Sequence, residues 1–314
     1  MDNSILITGA NGFIGNAVCS YLINKKIKVT GLVRNNKCNN IQGLNIEILQ
    51  TINNKTNWEP YLKKIDIIIH TAGYSKFPLY NDNDKLNLFN VNVLGTINLA
   101  KQAAQYGVKK IIYISSIKVH GENTKSGSSF NNNSIFNPQD TYALSKVQAE
   151  EGLEQIRKNT NLDIIIIRPP LVYGNGIKSN LLKLINIINI GVPLPFKSIS
   201  KNKISLISLE NLNSFIYKCI EYKSILNMNF VVSDSRALST KDLIEKIAST
   251  LNKKARLFYF PKFLLFIIGY FLYQQKTMRL LLCNLEIDNS FSEKKLNWKP
   301  KAKFSKELRK AIHE

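Results

Sequence analysis

The chain is poor in the residues that build disulfide frameworks and metal centres. It has four cysteines, which are far apart and form no CxxC pair, and three scattered histidines with no neighbours at metal-ligand spacing. This scarcity excludes a disulfide-stapled scaffold and predicts a reduced, intracellular and cytoplasmic protein without catalytic metal. The residues are Cys19, Cys38, Cys219, Cys283, His70, His120 and His313.

Long hydrophobic runs are also missing. The most apolar stretch, residues 257–273, contains Pro261, Lys262 and Gly269, and its length of about 17 residues is below the ~20 apolar residues that a membrane span needs. A helix that packs or lies on a surface fits this stretch better. The N-terminal MDNSILITGA has no basic segment followed by an apolar one, so we expect no secretion signal.

Acidic residues are scarce, with 22 Asp and Glu against 43 Lys and Arg and a net charge of +21. Such a charge suggests a nucleic-acid or membrane partner. No basic tail occurs and the excess is spread over the chain, so a Lys- and Asn-rich composition on an ordinary surface is the simpler interpretation, and no nucleic-acid partner is expected. Residues 241–314 carry 16 basic and 7 acidic side chains. Beside the apolar stretch, they indicate weak peripheral association with the inner face of an anionic membrane.

Short apolar runs alternate with helical patterns along the first half of the chain. Continuous runs at 4–8, 28–33, 66–70, 110–115 and 163–168 predict buried parallel strands. Segments 13–25, 86–106 and 140–158 have apolar residues at three- and four-residue intervals, which predicts helices between them. This alternation is typical of an α/β protein with a doubly wound, Rossmann-type parallel sheet.

The alternation loosens after Pro169, where glycines and prolines interrupt the chain. We therefore place the cofactor-binding Rossmann domain at residues 1–168, with a returning segment near 204–235. A smaller C-terminal α/β substrate domain is expected at residues 169–203 and 236–314.

The first predicted strand runs directly into a GxxGxxG motif that opens a helix. Its glycines allow a tight turn and a close approach to a pyrophosphate, which the helix N–H groups would bind. A purely structural turn is the alternative. The candidate cofactor-binding residues of this motif are Gly9, Asn11, Gly12, Phe13, Ile14 and Gly15.

The end of the second predicted strand lacks the carboxylate that binds the ribose of NAD. The sequence there is Gly31-Leu32-Val33-Arg34. An arginine in place of the carboxylate suits a 2′-phosphate, so NADP(H) is favoured over NAD(H). The alternative is a surface arginine that merely follows a strand.

A YxxxK motif at Tyr142 and Lys146 starts a predicted helix, where residues four apart share one face. An ammonium near a phenol stabilises the phenolate and favours proton transfer. Ser115 and Ser116 end a predicted strand at the carboxyl edge of the sheet, where such folds bind ligands. A serine there would polarise a carbonyl or alcohol oxygen, although a helix cap is the alternative role.

Several motifs resemble the extended short-chain dehydrogenase/reductase family, specifically its nucleotide-sugar epimerases and reductases. They are ITGANGFIG at 7–15, HTAG at 70–73, VNVLGT at 91–96, YISSIKVHG at 113–121, YALSK at 142–146, RPPLVYG at 168–174 and LNWKP at 296–300. The resemblance covers nearly the whole chain. It implies a catalytic set of Ser116, Tyr142 and Lys146. Ser116 is chosen over Ser115 because it lies three residues before Val119-His120-Gly121, where the family has Val-Tyr-Gly.

The resemblance also implies further ligand-binding residues. Ala72, Gly73, Asn92 and Pro169 would join Arg34 and the glycine motif around the cofactor, together with Tyr142 and Lys146. Asn180 and Leu181 would anchor the nucleotide, Phe196 would lie beside uracil, and Lys203 and Arg279 would flank the diphosphate. Ordinary solvated cations are the alternative for the last two. A homodimer through the helices near 86–106 and 140–158 is expected by analogy.

Two departures from the family pattern affect the expected adenine contact and the expected reaction. No acid follows the third strand at 49–52, where the family often contacts adenine. Ile117 and Lys118 stand where sugar-nucleotide 4,6-dehydratases have an Asp-Glu pair, so that reaction is excluded.

The segment GVPLPFKSISKNKISLISLENL at 191–212, with SSIKVHGE and PQDTYALSKVQAEEGL, narrows the resemblance. With these segments the chain looks most like enzymes that reduce UDP-2-acetamido-2,6-dideoxy-hexos-4-ulose to UDP-N-acetylquinovosamine or its C4 epimer, for lipopolysaccharide. The alternatives are a UDP-glucose or UDP-N-acetylglucosamine 4-epimerase, and a Rossmann protein that binds a dinucleotide without chemistry.

Overall fold

The computed structural model describes residues 3–35, 41–75 and 81–312, so Cys38 and His313 lie outside the described residues. Seven strands form one sheet in the order β3-β2-β1-β4-β5-β6-β9, and β7 pairs with β8 in a second, two-stranded sheet. The strands are β1 Ile5–Thr8, β2 Val29–Val33, β3 Asn45–Ile48, β4 Ile67–His70, β5 Lys110–Ile114, β6 Asp163–Arg168, β7 Leu171–Tyr173, β8 Leu206–Ser208 and β9 Asn229–Val231.

Twelve α-helices connect and follow the strands within the described residues. They are α1 Phe13–Asn24, α2 Glu59–Leu62, α3 Asp82–Phe89, α4 Thr96–Gln105, α5 Thr141–Asn159, α6 Asn180–Ile190, α7 Leu209–Glu221, α8 Thr240–Thr250, α9 Lys262–Phe271, α10 Gln275–Leu282, α11 Ser290–Leu296 and α12 Phe304–Ile312. A π-helical turn, Asn90–Gly95, joins α3 to α4, and a 3₁₀ turn, Ile117–Val119, follows β5. The predicted doubly wound parallel sheet with flanking helices is confirmed.

The sheet is held by rows of apolar side chains that run across neighbouring strands. Leu6, Ile68, Ile111 and Ile164 are register partners from β1 to β6, and all four are buried in one hydrophobic cluster. Leu99 of α4 and Leu153 of α5 belong to the same cluster. Because burying one such side chain contributes about 1.5–3 kcal/mol, this row fixes α4 and α5 on one face of the sheet.

Two compact units divide the chain. The first comprises Met1–Val119, Phe136–Arg168 and Phe215–Phe230, and the second comprises His120–Ile135, Pro169–Ser214 and Val231–Glu314. Residues 120–135 fall in the second unit because their backbone pairs there: Thr124 and Phe130 donate N–H groups to Asn284 and Glu286 carbonyls, both at 2.8 Å. The stretch that returns to the first unit, residues 215–230, is shorter than the 204–235 that we expected.

A buried ion pair attaches this returning stretch to the sheet. Lys110 at the start of β5 and Asp163 at the start of β6 lie 3.5 Å apart with almost no solvent exposure. The Lys110 ammonium also donates to the carbonyls of Cys219 and Tyr222, and the Asp163 carboxylate accepts from the Leu226 N–H. Each charge is thus paired and hydrogen-bonded, as a buried charge must be.

Replacing Lys110→Met should destabilise the protein by about 3 kcal/mol or more, because it leaves a buried carboxylate without its cation. The measurement is equilibrium unfolding in urea. Lys109→Met is the matched control: this neighbouring lysine is exposed and pairs with Asp66 at the surface, so its loss should change the free energy of unfolding by less than about 1 kcal/mol. Equal losses in the two variants would contradict the role of the buried pair.

Candidate active site

The glycine-rich turn after β1 leaves no room for side chains. Gly9 has φ +71°, and a Cβ atom on it would lie 2.8 Å from the Ala72 Cα. A Cβ atom on Gly15 would lie 2.1 Å from the Gly9 carbonyl oxygen. Glycine is therefore required at both positions, and the turn brings the start of α1 against the loop that follows β4.

The start of α1 fits a dinucleotide. The helix begins at Phe13, and its N-cap residue Gly12 provides no side-chain hydrogen bond. The N–H groups of the first turn have no partners within a helix, and they carry the positive end of its dipole. Asn11 and Gly12 are exposed, and Phe13 and Ile14 are half-buried. These residues fit the pyrophosphate of a dinucleotide, and their role in cofactor binding stays a prediction.

Arg34 follows β2 directly and is exposed. Strands β1 and β2 are parallel neighbours, so Arg34 lies at the same carboxyl edge of the sheet as Gly9. This position is compatible with contact to a bound dinucleotide, and the assignment of Arg34 to a 2′-phosphate stays a prediction.

Asn92 ties the loop after β4 to helix α5. It lies buried in the π-helical turn, and its amide nitrogen donates to the Tyr74 carbonyl and to the Ser145 Oγ, both at 3.0 Å. Its amide oxygen accepts the Tyr74 N–H at 2.7 Å. A Cβ atom on Gly73 would lie 3.4 Å from this amide oxygen and 3.7 Å from the Lys146 Nζ. Ala72 and Gly73 are thus brought beside α5.

Tyr142 and Lys146 occupy the first two turns of α5, with Asp140 as the N-cap. The Lys146 side chain is buried, and its ammonium donates to the Ile114 carbonyl at 3.0 Å. The ammonium lies 5.9 Å from the Tyr142 ring centroid and 4.6 Å from that of Tyr113. The two residues of the motif therefore share one face of the helix, directed at the end of β5.

Burial moves both titratable groups of the motif toward their neutral forms. Loss of solvent, together with the Asp140 carboxylate, raises the pKa of Tyr142 to about 12. Desolvation lowers the pKa of Lys146 to about 8, although the Glu150 carboxylate opposes this shift. At neutral pH the phenol holds its proton, so Tyr142 is a proton donor in this arrangement.

Ser115 and Ser116 have different partners. The Ser115 hydroxyl donates to the buried Glu150 carboxylate at 2.5 Å, and this carboxylate also accepts from Arg168 at 2.6 Å. The half-buried Ser116 hydroxyl accepts the Lys118 N–H at 3.3 Å. Because Ser115 is engaged inside the protein, Ser116 is the serine suited to a substrate oxygen.

An ion pair links the Ser116 turn to the start of α5. The Lys118 ammonium lies 3.1 Å from the Asp140 carboxylate, whose other oxygen accepts the Ala143 N–H at 2.8 Å. The side chain that stands where a dehydratase acid would be is therefore a cation held by the helix cap.

His70 packs as a neutral residue at the end of β4. Its two ring nitrogens form hydrogen bonds with the hydroxyls of Thr8 and Thr96, at 2.6 and 2.9 Å. Burial lowers its pKa to about 3.

The predicted substrate residues lie in the second unit. Asn180 is the exposed first residue of α6, while Leu181 and Phe196 are buried. Lys203 is exposed and forms an ion pair with Glu286 at 2.7 Å. Arg279 is exposed on α10. Pro169 is buried directly after β6.

Lys203 and Arg279 belong to neighbouring pieces of chain in this unit. The Leu285 N–H donates to the Lys203 carbonyl at 2.7 Å, and the Asn202 amide donates to the Leu281 carbonyl at 3.1 Å. The end of α10 is thereby fixed beside residues 202 and 203. Their roles, like those of Asn180, Leu181 and Phe196, stay predictions.

Sequence reasoning missed two supporting pairs, Glu150 with Arg168 and Lys118 with Asp140. One signal was present for the first pair: Glu150 stands four residues after Lys146 on the same helix face, and Arg168 ends a continuous apolar strand. A charge at the end of such a strand requires a buried partner.

A parallel sheet with a glycine turn after its first strand and a Tyr-Lys pair at its carboxyl edge defines a dinucleotide-binding α/β protein. The chain belongs to the NAD dependent epimerase/dehydratase family, whose sequence pattern matches residues 5–217. This confirms the resemblance and the fold class predicted from the sequence.

Two relatives illustrate the range of the family. The chain is 37% identical over 302 residues to a UDP-glucose 4-epimerase of Vibrio cholerae, which covers 96% of this chain and 92% of the relative. It is 27% identical over 272 residues to a dTDP-4-dehydro-6-deoxyglucose reductase of Escherichia coli, covering 81% and 83% of the two chains.

Solved structures show the same fold. The UDP-glucuronic acid 4-epimerase from Bacillus cereus in complex with NAD gives a TM-score of 0.76 at 19% identity, covering 99% of this chain and 95% of that one. The UDP-glucose 4-epimerase from Thermotoga maritima with UDP-glucose gives 0.75 at 18% identity, covering 99% and 97%.

Changing Asp140→Asn should move the alkaline limb of the kcat/KM profile to lower pH for any reaction in which Tyr142 donates its proton. The substitution keeps a good N-cap residue but removes the negative charge that raises the pKa of Tyr142. Because a proton donor must be protonated, activity is lost as the pH rises through that pKa. Lys118→Gln is the control: it breaks the same ion pair but keeps the carboxylate, so its limb should not move to lower pH. A downward shift in both variants would show that the ion pair, not the Asp140 charge, sets the profile.

Proposed function

We propose that this protein transfers a hydride at C4 of a UDP-sugar, in the net direction of reducing UDP-2-acetamido-2,6-dideoxy-hexos-4-ulose with NADPH. The observation that carries the proposal is the cluster of Ser116, Tyr142 and Lys146 beside Gly73 at the carboxyl edge of the sheet. A protonated Tyr142 is the form that carbonyl reduction needs at the start of turnover.

In this mechanism the nicotinamide supplies the hydride when it is bound. Ser116 donates a hydrogen bond to the C4 oxygen and stabilises the charge that develops on it. Tyr142 gives its proton to that oxygen, and the Lys146 ammonium stabilises the phenolate that remains. Glu150 holds Ser115 and so orients the end of β5.

The nucleotide part of the substrate is assigned to the second unit. Asn180 and Leu181 at the start of α6 would bind the nucleotide, and Phe196 would contact uracil. Lys203 and Arg279 would bind the diphosphate, for which Lys203 exchanges its partner Glu286 for a phosphate.

A 4-epimerase acting on UDP-glucose or UDP-N-acetylglucosamine is the second candidate function. The 37% identity to a UDP-glucose 4-epimerase over 96% of the chain favours it. Arg34 in place of a ribose-binding carboxylate favours the reductase, because a net reductase draws on NADPH whereas an epimerase recycles bound NAD.

Two incubations separate the candidates. One contains the protein with UDP-N-acetylglucosamine and NAD, and the other contains the 4-keto-6-deoxy derivative and NADPH. We expect NADPH oxidation in the second only. UDP-N-acetylgalactosamine in the first would establish the epimerase instead, and dinucleotide binding without turnover in either would leave a non-catalytic binding protein.

In the productive incubation, Tyr142→Phe should lower kcat by about 10²–10⁴-fold, because the proton donor is lost. Cofactor binding, followed by NADPH fluorescence, should stay close to that of the parent. Tyr106→Phe is the matched control, since Tyr106 is an exposed tyrosine after α4, and it should keep full activity. Parent-like turnover in Tyr142→Phe would refute the assignment.

Replacing Arg34→Ala should raise the KM for NADPH by about 10- to 100-fold, the loss expected for charge-assisted hydrogen bonds to a 2′-phosphate. NADH, which lacks this phosphate, serves as the internal control, and its KM should stay nearly constant. Equal changes for the two cofactors would place Arg34 away from the 2′-phosphate.

A further inference from the structure

Helices α9 and α10 form a hairpin whose outer side is apolar. Phe271 and Tyr273 at its tip are 73% and 88% exposed. Large apolar side chains normally appear singly on the surface of a protein, and contiguous groups of them mark interaction sites. We call this group the hairpin surface; it consists of Phe263, Ile267, Tyr270, Phe271, Leu272 and Tyr273.

The inner side of the hairpin is packed. Leu265 and Gly269 are buried, and a Cβ atom on Gly269 would clash with the Met278 side chain unless that side chain shifted, so the two helices pack closely at this point. The connection is closed by the Gln274 N–H, which donates to the Gly269 carbonyl at 2.8 Å. At the base of α10, the Asn202 amide binds the Leu281 carbonyl. The apolar outer side is therefore presented by a folded element.

The chain around the hairpin carries charge of one sign only. Residues 246–285 contain seven basic side chains and no Asp or Glu. Lys262 is the first residue of α9, and its ammonium lies 5.9 Å from the Phe266 ring centroid. The seven are Lys246, Lys253, Lys254, Arg256, Lys262, Lys276 and Arg279. Aromatic rings flanked by lysines and arginines are typical of elements that lie at a lipid-water boundary.

The hairpin is too short to cross a bilayer. Helix α9 has ten residues, about 15 Å, whereas the hydrocarbon core is about 30 Å thick. Within residues 3–35, 41–75 and 81–312, no helix is long and apolar enough to span a membrane. A ten-residue helix with an apolar side and basic residues flanking it suits a helix that lies in the plane of the membrane interface.

We propose that the α9–α10 hairpin docks the protein on the surface of an anionic lipid bilayer. The hairpin surface enters the headgroup boundary, and the basic side chains around it contact anionic headgroups. The absence of acidic residues from 246–285 favours an anionic lipid surface as the partner. Such a surface attracts each lysine or arginine held close to it. The proposal does not depend on the reaction that the protein catalyses.

The test is sedimentation of the full chain with vesicles of phosphatidylcholine, alone or mixed with phosphatidylglycerol. We expect binding only to the mixed vesicles at ~0.1 M salt and its loss at ~1 M salt, where charges are screened within about 3 Å. Lys254→Gln with Lys262→Gln should weaken binding by about 25-fold, or about fivefold for each charge. Lys294→Gln with Lys295→Gln, on exposed α11 positions, is the matched control and should bind like the parent.

The apolar contribution is tested by Phe271→Gln with Tyr273→Gln, which should reduce vesicle binding by about tenfold or more. Ile135→Gln with Ile190→Gln is the matched control, because it removes two apolar side chains that are just as exposed, at 83% and 78%. This control pair should bind vesicles like the parent. Turnover of the nucleotide sugar in solution should be unchanged in all four variants.

No binding to mixed vesicles, or equal losses in test and control pairs, would overturn the proposal. So would a stable dimer that only the Phe271/Tyr273 variant dissociates, because the hairpin surface would then bind a second copy.

Discussion

The buried carboxylate of Glu150 is the interaction on which the arrangement of the candidate site depends. It accepts hydrogen bonds from Ser115 at the end of β5 and from Arg168 at the end of β6. An unpaired charge in this position would be strongly destabilising, so helix α5 is held where both partners reach the carboxylate. Since Lys146 precedes Glu150 by one helical turn, the same contacts set the height of Lys146 relative to the Ile114 carbonyl.

The electrostatics of the site follow from burial more than from charge pairing. Desolvation raises the pKa of Tyr142 and lowers that of Lys146, so burial disfavours both charged forms and keeps the proton on the phenol at neutral pH. Neutral His70, held between two threonine hydroxyls, adds no charge to this region. A charged ligand that binds beside Tyr142 and Lys146 would therefore shift the pKa values of both groups.

Local patterns were readable from the sequence, and pairs of distant residues were not. Strands β1, β2, β4, β5 and β6 are buried on both faces, so they appear as continuous apolar runs, whereas β3 lies at the edge of the sheet, is partly exposed and reads Asn-Ile-Glu-Ile. The predicted helix 86–106 is divided by the π-helical turn, where the buried Asn92 binds Tyr74 and Ser145. The GxxGxxG and YxxxK motifs are local spacings. The partners of Glu150, Lys118 and Lys203 depend on tertiary packing over 18, 22 and 83 residues, which no spacing predicts.

The ion pair between Lys118 and Asp140 restricts how this fold could acquire a different chemistry. Introducing an Asp-Glu pair at 117 and 118 would bury a carboxylate at the position of Ile117 and replace the cation beside Asp140 with a second acid. Repulsion between the acid at position 118 and Asp140 would raise the pKa of both carboxyl groups and disturb the cap of α5. An acid pair at 117 and 118 would therefore favour a neutral capping residue at position 140, so such a pair and the present cap of α5 are mutually unfavourable.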